Sequence, residues 1–172
     1  VTAANRGKIW ERQLERYHAL IQSSGRALVT RNHPEVIVRR GRGGQIVGAQ
    51  FRATGAPDYT ILSGGRTIVA DAKSIRLSRW PLRQLEDHQA STLNAVEKHG
   101  GLPLLLINTP DGSYAVLWSL VRPFWNVWRA GDARRGEASL TAEQMRAFSV
   151  CWERKGVVLD YLQPALDHLA SR

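Results

Sequence analysis

Two carboxylates and one ammonium are spaced around a diglycine: Asp58, then Gly64-Gly65, then Asp71 and Lys73. Between them lie two β-prone runs, Tyr59-Thr60-Ile61-Leu62 and Thr67-Ile68-Val69-Ala70. Two such runs joined by glycines read as a hairpin. With the turn centred between Gly64 and Gly65, Leu62 faces Thr67, Thr60 faces Val69 and Asp58 faces Asp71. Directly opposed residues share a face, with Cβ atoms about 4.5–5.5 Å apart. Lys73 shares the face of Asp71, because strand side chains alternate with a period of two. Opposed like charges repel, and a divalent cation between them removes the conflict. Mg²⁺ is commonly held by one or two carboxylates with waters and substrate phosphates. Such an ion beside an ammonium is equipment for metal-assisted hydrolysis of a phosphodiester. On spacing alone, an exposed hairpin with scattered charges fits as well.

Other elements must hold that hairpin in place. Trp10, Leu14, Tyr17 and Ile21 recur at helical spacing, predicting a core-facing helix over 5–24 with Asn5 as its cap and Gly25 as its stop. Residues 27–31 read as a short strand. Residues 36–38 and 45–52 flank a tip, 39–44, rich in glycine and arginine; Arg39, Arg40 and Arg42 there are candidate phosphate contacts. A basic loop over 75–80 precedes a predicted second helix over 81–99, with Leu85, Gln89, Thr92 and Val96 on one face. The apolar run 102–108 reads as a strand buried on both faces. Pro110-Asp111-Gly112 is a turn, and 114–118 returns as the next strand. The aromatic segment 123–128 places Trp125 and Trp128 in the core or at an interface. Thr141-Ala142-Glu143-Gln144 resembles a capping box, and a last helix after Asp160 carries Leu162, Leu166 and Leu169. Helix, strands, helix, strands, helix predicts an α/β fold with a mixed central sheet flanked by helices.

The 172 residues suit a single domain over 1–172, and 43% hydrophobic content suits a folded chain. Lys and Arg number 24 against 15 Asp and Glu, a net charge of +9, which favours a polyanionic partner. Only Lys8, Lys73, Lys98 and Lys155 are lysines; a compact ammonium at 73 in an arginine-dominated chain suits donation to a hydroxide or phosphate oxygen. Lys8, Arg76, Arg79 and Arg83 are further candidate DNA contacts. The lone Cys151 excludes an intrachain disulfide and fits a reducing compartment. No window has the apolar length of a membrane span, and 1–16 has no signal-peptide core, so the cytoplasm is expected. Glu15-x-x-His18 lacks the second copy that a di-metal carboxylate site needs.

Four islands, in order, resemble the RecU-type Holliday-junction resolvases of the PD-(D/E)xK nuclease superfamily. They are Asn5-Arg6-Gly7-Lys8-Ile9-Trp10-Glu11; Asp58-Tyr59 with Gly65-Arg66 and Asp71-Ala72-Lys73; Trp80-Pro81-Leu82 with His88-Gln89; and Asp160-Tyr161-Leu162. The resemblance implies a restriction-endonuclease-like fold and a homodimeric, Mg²⁺-dependent endonuclease, with Mn²⁺ a substitute. Its partner would be four-way junction DNA, cut in two opposed strands. Asp58, Asp71 and Lys73 would be catalytic, Glu11 an accessory acid and Gln89 the motif glutamine. The metal would rest on Asp58, Asp71 and Ala72. A stalk hairpin over 36–54 would enter the junction centre. Two departures stand out: the second acid is Asp71 where the family usually carries Glu, and the stalk is short. The rival readings are a related nuclease on flapped, nicked or duplex DNA, and a non-catalytic DNA-binding protein of the same fold.

Overall fold

The computed structural model describes residues 3–32, 36–51, 57–134 and 136–172. The chain runs α1 (Ala3–Ser23), β1 (Leu28–Arg31), β2 (Val36–Arg40), β3 (Ile46–Phe51), β4 (Tyr59–Ser63), β5 (Arg66–Ser74) and β6 (Trp80–Pro81). After a 3₁₀ turn at Leu82–Gln84 come α2 (Asp87–Lys98), β7 (Leu102–Asn108), β8 (Gly112–Leu117), α3 (Trp118–Arg129), β9 (Ser139–Leu140), α4 (Ala142–Ala147), β10 (Ser149–Arg154) and α5 (Leu162–Ala170). Six strands form one sheet in the order β1-β4-β5-β7-β8-β10. The β5–β7 pair is parallel and its other pairs are antiparallel, so the sheet is mixed and helices flank it, as expected. Among the described residues, no helix is long and apolar enough to cross a membrane.

Period-two alternation splits the core in two. Leu102, Leu104 and Leu106 of β7, with Ala115 and Leu117 of β8, pack under Trp10, Leu14, Tyr17 and Ile21 of α1 and Leu162 and Ala165 of α5. Leu105 and Ile107, with Tyr114 and Val116, pack against Ala90 and Leu93 of α2, Trp118 and Val121 of α3 and Met145 of α4. That is why 102–107 is apolar without interruption: both faces of β7 are covered.

Several expectations need correction. Ala3 and Ala4, strong helix formers, carry α1 back past Asn5, so Asn5 lies inside the helix and is not its cap. The second helix begins at Asp87 and not at 81, because Pro81 is taken into the β6–β9 ladder opposite Ser139. Its buried positions are Ala90 and Leu93; Gln89, Thr92 and Val96 are only half-buried along the flank. Arg39 and Arg40 belong to β2, with a bulge between them, and only Arg42 lies in the turn. The end of the expected stalk, 52–54, lies outside the described residues.

Four elements were missed: the two-residue strands β6 and β9, and the longer α3 and β10. α3 was hidden by Pro123, yet Trp118, Val121, Trp125 and Trp128 sit at spacings of three and four, a helical stripe. Trp118 Nε1 donates to Asn94 Oδ1 of α2 at 2.8 Å, fixing the pair. Trp125 and Trp128 pack on the second core, with the Arg129 guanidinium 5.8 and 5.6 Å from their rings. β10 is an edge strand whose Glu153 and Arg154 hid its β character.

Candidate active site

The β4–β5 hairpin has the expected register: Thr60 opposite Val69, Leu62 opposite Thr67, and Ser63 opposite Arg66 across the two-residue turn. Gly64 and Gly65 both take positive φ, +55° and +74°, as a type I′ turn requires. The ladder stops at Tyr59–Ala70, while β5 continues to Ser74 against β7. A fork opens where β4 leaves β5. Asp58 stands on one prong; Asp71, Ala72 and Lys73 stand on the other.

Asn32 holds the Asp58 prong in place. Its backbone N–H donates to Asp58 O at 2.8 Å, and its amide donates to Pro57 O at 2.6 Å and Thr60 Oγ1 at 3.2 Å. The Ala72 N–H, left without a strand partner on that side, donates to Asp58 Oδ2 at 2.8 Å. A strand residue turns its N–H and C=O to the same edge, so the Ala72 carbonyl faces the fork as well.

Asp71 points to the α2 face, and no part of its side chain is exposed. Its Oδ1 accepts from Gln89 Nε2 at 2.7 Å. Lys73 Nζ lies 3.0 Å from Asp71 Oδ2 and donates to Gln89 Oε1 at 3.1 Å. Gln89 Oε1 also accepts the Glu86 N–H at 3.1 Å. Gln89 is thus the third helical residue reaching back to cap α2, and the same amide orients both catalytic candidates on β5. Asp71 Oδ2 is buried, and the Lys73 ammonium is the partner that faces it. Burial is the main force raising the Asp71 carboxyl to about 6; Lys73 opposes it and Asp58 adds to it.

On the α1 face a cavity of about 170 Å³ is bounded by Gly7, Trp10, Glu11, Asp58, Ala72, Lys73 and Ser74. Arg31, the last residue of β1, also lines it, and sequence reasoning did not single it out. Its guanidinium bonds Glu11 at 2.8 Å and also pairs with Glu15. Burial works against the Arg31 charge, but the Glu11 bond and neighbouring anions outweigh it and hold its pKa above the ordinary value. Glu11 therefore reaches the fork already neutralised by a cation. The signal for Arg31 was positional: it pairs Tyr59, next to Asp58.

The fork gathers Asp58, Ala72, Lys73 and Glu11 around one cavity and sets Asp71 and Gln89 beside it on the α2 side. The arginines expected to contact DNA, and Lys8, are not part of it. Lys8, Arg76, Arg79 and Arg83 are exposed. Arg79 donates to Ser139 Oγ and Gly136 O, tying the β6 region to the 136–139 loop. Arg40 donates to Gly44 O within its own hairpin.

The family model described as Recombination protein U matches residues 5–167. The chain belongs to the Recombination protein U family. That is a family of Holliday-junction resolvases, as the four sequence islands implied. One similar solved structure is Hjc, a Holliday junction resolvase from Archaeoglobus fulgidus, at 13% identity and TM-score 0.42, covering 66% of this chain and 78% of that one. No curated protein matches significantly. In this Recombination protein U chain, the terminal Asp160-Tyr161-Leu162 island is a clamp on α1. Tyr17 Oη donates to Asp160 Oδ1 at 2.7 Å and accepts the Leu162 N–H at 3.0 Å. His18 Nε2 and Tyr161 Oη lie 2.6 Å apart in the core. His18 is thereby a core residue, in keeping with the rejection of Glu15-x-x-His18 as a metal motif.

Proposed function

We propose that this chain is a Mg²⁺-dependent endonuclease that resolves four-way DNA junctions by paired nicks, working as a homodimer so that two sites meet two opposed strands. The fork carries this reading: Asp58, the Ala72 backbone and Lys73 meet at one cavity where β4 leaves β5, with the buried Asp71 carboxylate paired to Lys73 on the α2 side.

The donor set fits Mg²⁺. Among the described residues no group of three His, Cys, Asp or Glu could hold a metal ion. A cation here would rest on Asp58, Asp71 and the Ala72 carbonyl, with waters and a substrate phosphate completing its shell. Mg²⁺ accepts such a shell, whereas a structural zinc site needs four protein ligands. Asp71 Oδ1 is taken by Gln89, so Oδ2, paired with Lys73 at 3.0 Å, is the oxygen that would face the ion. Mn²⁺ would serve in the same place. Bound there, the ion supplies Lewis acidity and a more acidic water.

The chain's own residues do the positioning. Gln89 holds Asp71 and Lys73 in register, so neither rotamer is left to chance. Lys73 brings an ammonium to the cavity wall, where it stabilises charge growing on a phosphate oxygen. Arg31 keeps Glu11 aligned beside the cavity. The β2–β3 hairpin, with Arg39, Arg40 and Arg42, would act as the stalk at the junction centre, and Lys8, Arg76, Arg79 and Arg83 would hold phosphates of the arms.

A labelled synthetic junction, incubated with and without Mg²⁺ beside linear duplex of the same sequence, tests the reading. Symmetric nicks confined to the junction and to Mg²⁺ are expected. Equal cutting of duplex, or no cutting at all, would overturn it.

A further inference from the structure

A second cavity, about 560 Å³, adjoins the fork. Its volume falls in the range of small-molecule sites, roughly 300–1,000 Å³. It shares both walls with the fork. On α1, Gly7, Trp10 and Glu11 face the fork cavity, while Ile9 and Gln13 face this one. On the other side, Ala72, Lys73 and Ser74 face the fork, and the next residues, Ile75 and Arg76, face this cavity. A polar chain also joins the two. Asn108 Nδ2 donates to Ser74 Oγ at 3.3 Å, and Ser113 Oγ donates to Asn108 Oδ1 at 3.1 Å.

We propose that this cavity receives the nucleobase next to the scissile phosphate and reads it, giving the enzyme a preference for certain bases at the cut. The inference rests on the nuclease reading above. Each part of the cavity suits one part of a nucleotide. Ile9, half exposed, and Ile75 and Pro110 supply apolar surface for a base face. Asn108 supplies a fixed amide: its two bonds leave one N–H and one lone pair for a base edge. Amide side chains are common readers of base edges. Ser74 lines the fork, so a base held by Asn108 is registered directly to the phosphate site. Arg76 and Lys155 at the wall match the flanking phosphates. No other described cavity combines apolar walls, a fixed amide and cations beside the fork.

The test uses junctions randomised at the positions flanking the branch, with cut sites mapped by sequencing for wild type, Asn108→Ala, and the surface variant Gln13→Ala/Lys155→Ala. Wild type should prefer one base at one position by roughly fivefold or more, the discrimination that a fixed amide contact provides. Asn108→Ala should level that preference, read as the ratio of cut frequencies among the four bases at that position and so independent of total cutting. The double variant, which leaves the Ser74–Asn108–Ser113 chain intact, should weaken selection at the same position. A wild type without base preference, or variants with the preference unchanged, would overturn the proposal. If wild type cuts no junction, the nuclease reading fails first. Metal-free binding to the same pool then decides for the cavity: base-dependent affinity that disappears in Asn108→Ala supports it, and base-independent affinity refutes it.

Discussion

Among the described residues two hairpins, β2–β3 and β4–β5, turn on paired glycines, and their fates differ. In β4–β5 the turn is Gly64-Gly65 at φ +55° and +74°; in β2–β3 it includes Gly43-Gly44 at φ +102° and +82°. Both obey the same local rule, that glycine supplies a left-handed backbone cheaply. The β4–β5 hairpin enters the six-stranded sheet, with β1 on one side and β7 on the other. The β2–β3 hairpin forms a sheet of its own. Burial follows from that difference. Ile68, Val69, Ala70 and Asp71 of β5 are buried, whereas Arg39, Arg40 and residues 42–47 are exposed. One hairpin can therefore hold a carboxylate away from water, and the other can present only a basic surface.

Chemistry and binding should separate along that line. The largest effect is expected for Asp71→Asn. Cutting should fall roughly 10³-fold or more, because a metal's Lewis-acid contribution is several kcal/mol. Junction affinity in a gel-shift assay should hold or tighten, since a negative charge is removed. Retained Mg²⁺-dependent cutting would remove Asp71 from the site.

Replacing Arg39, Arg40 and Arg42 by Ala should do the reverse. The salt slope of junction binding should flatten by up to about 3, at about 0.9 for each phosphate no longer neutralised. Cutting at saturating junction should stay close to wild type. An unchanged slope would deny the β2–β3 hairpin its role on DNA.

A third effect concerns the core beneath the fork. His18 is buried against Tyr59 and Tyr161, and burial lowers its pKa from 6.5 to about 4. The unfolded chain binds this proton at higher pH than the folded one. Stability is therefore full above about 6.5 and is lost as pH falls toward 4, by up to roughly 3 kcal/mol. Thermal melts from pH 7 to 4 should show a shallower acid-side decline for His18→Gln than for wild type. Parallel curves would contradict the assignment.

The smallest effect is the sharpest comparison. Gly65→Ala and Gly44→Ala both force Ala into a left-handed backbone, at roughly 1–2 kcal/mol. Neither site has a steric neighbour for the new Cβ. Gly65→Ala should lower Tm by about 2–8 °C, because β4–β5 unfolds with the main sheet. Gly44→Ala should leave Tm unchanged, because its hairpin can open locally. Equal shifts would mean that the two hairpins are one cooperative unit.

Much of this was legible from the residues. The β4–β5 register followed from two glycines and a period of two, and α1 followed from four apolar residues at helical spacing. α3 was legible in principle, but Pro123 drew attention from the stripe 118, 121, 125, 128. Gln89 was identified by motif, although its double duty depends on α2 starting at Asp87, a boundary that the sequence reading put at 81. Arg31 carried no local signal at all, since what matters is its place beside Tyr59 across a ladder.

Residue types and their spacing determined the turn, the register, the alternation of faces and the basic character of the chain, because those depend on near neighbours along the backbone. Tertiary structure decided which hairpin would be buried, where β4 would leave β5, and that Glu11 would be tied to Arg31. Those outcomes arise from strands and helices distant in sequence competing for the same sheet edges and the same water-free space, and no local pattern encodes who wins.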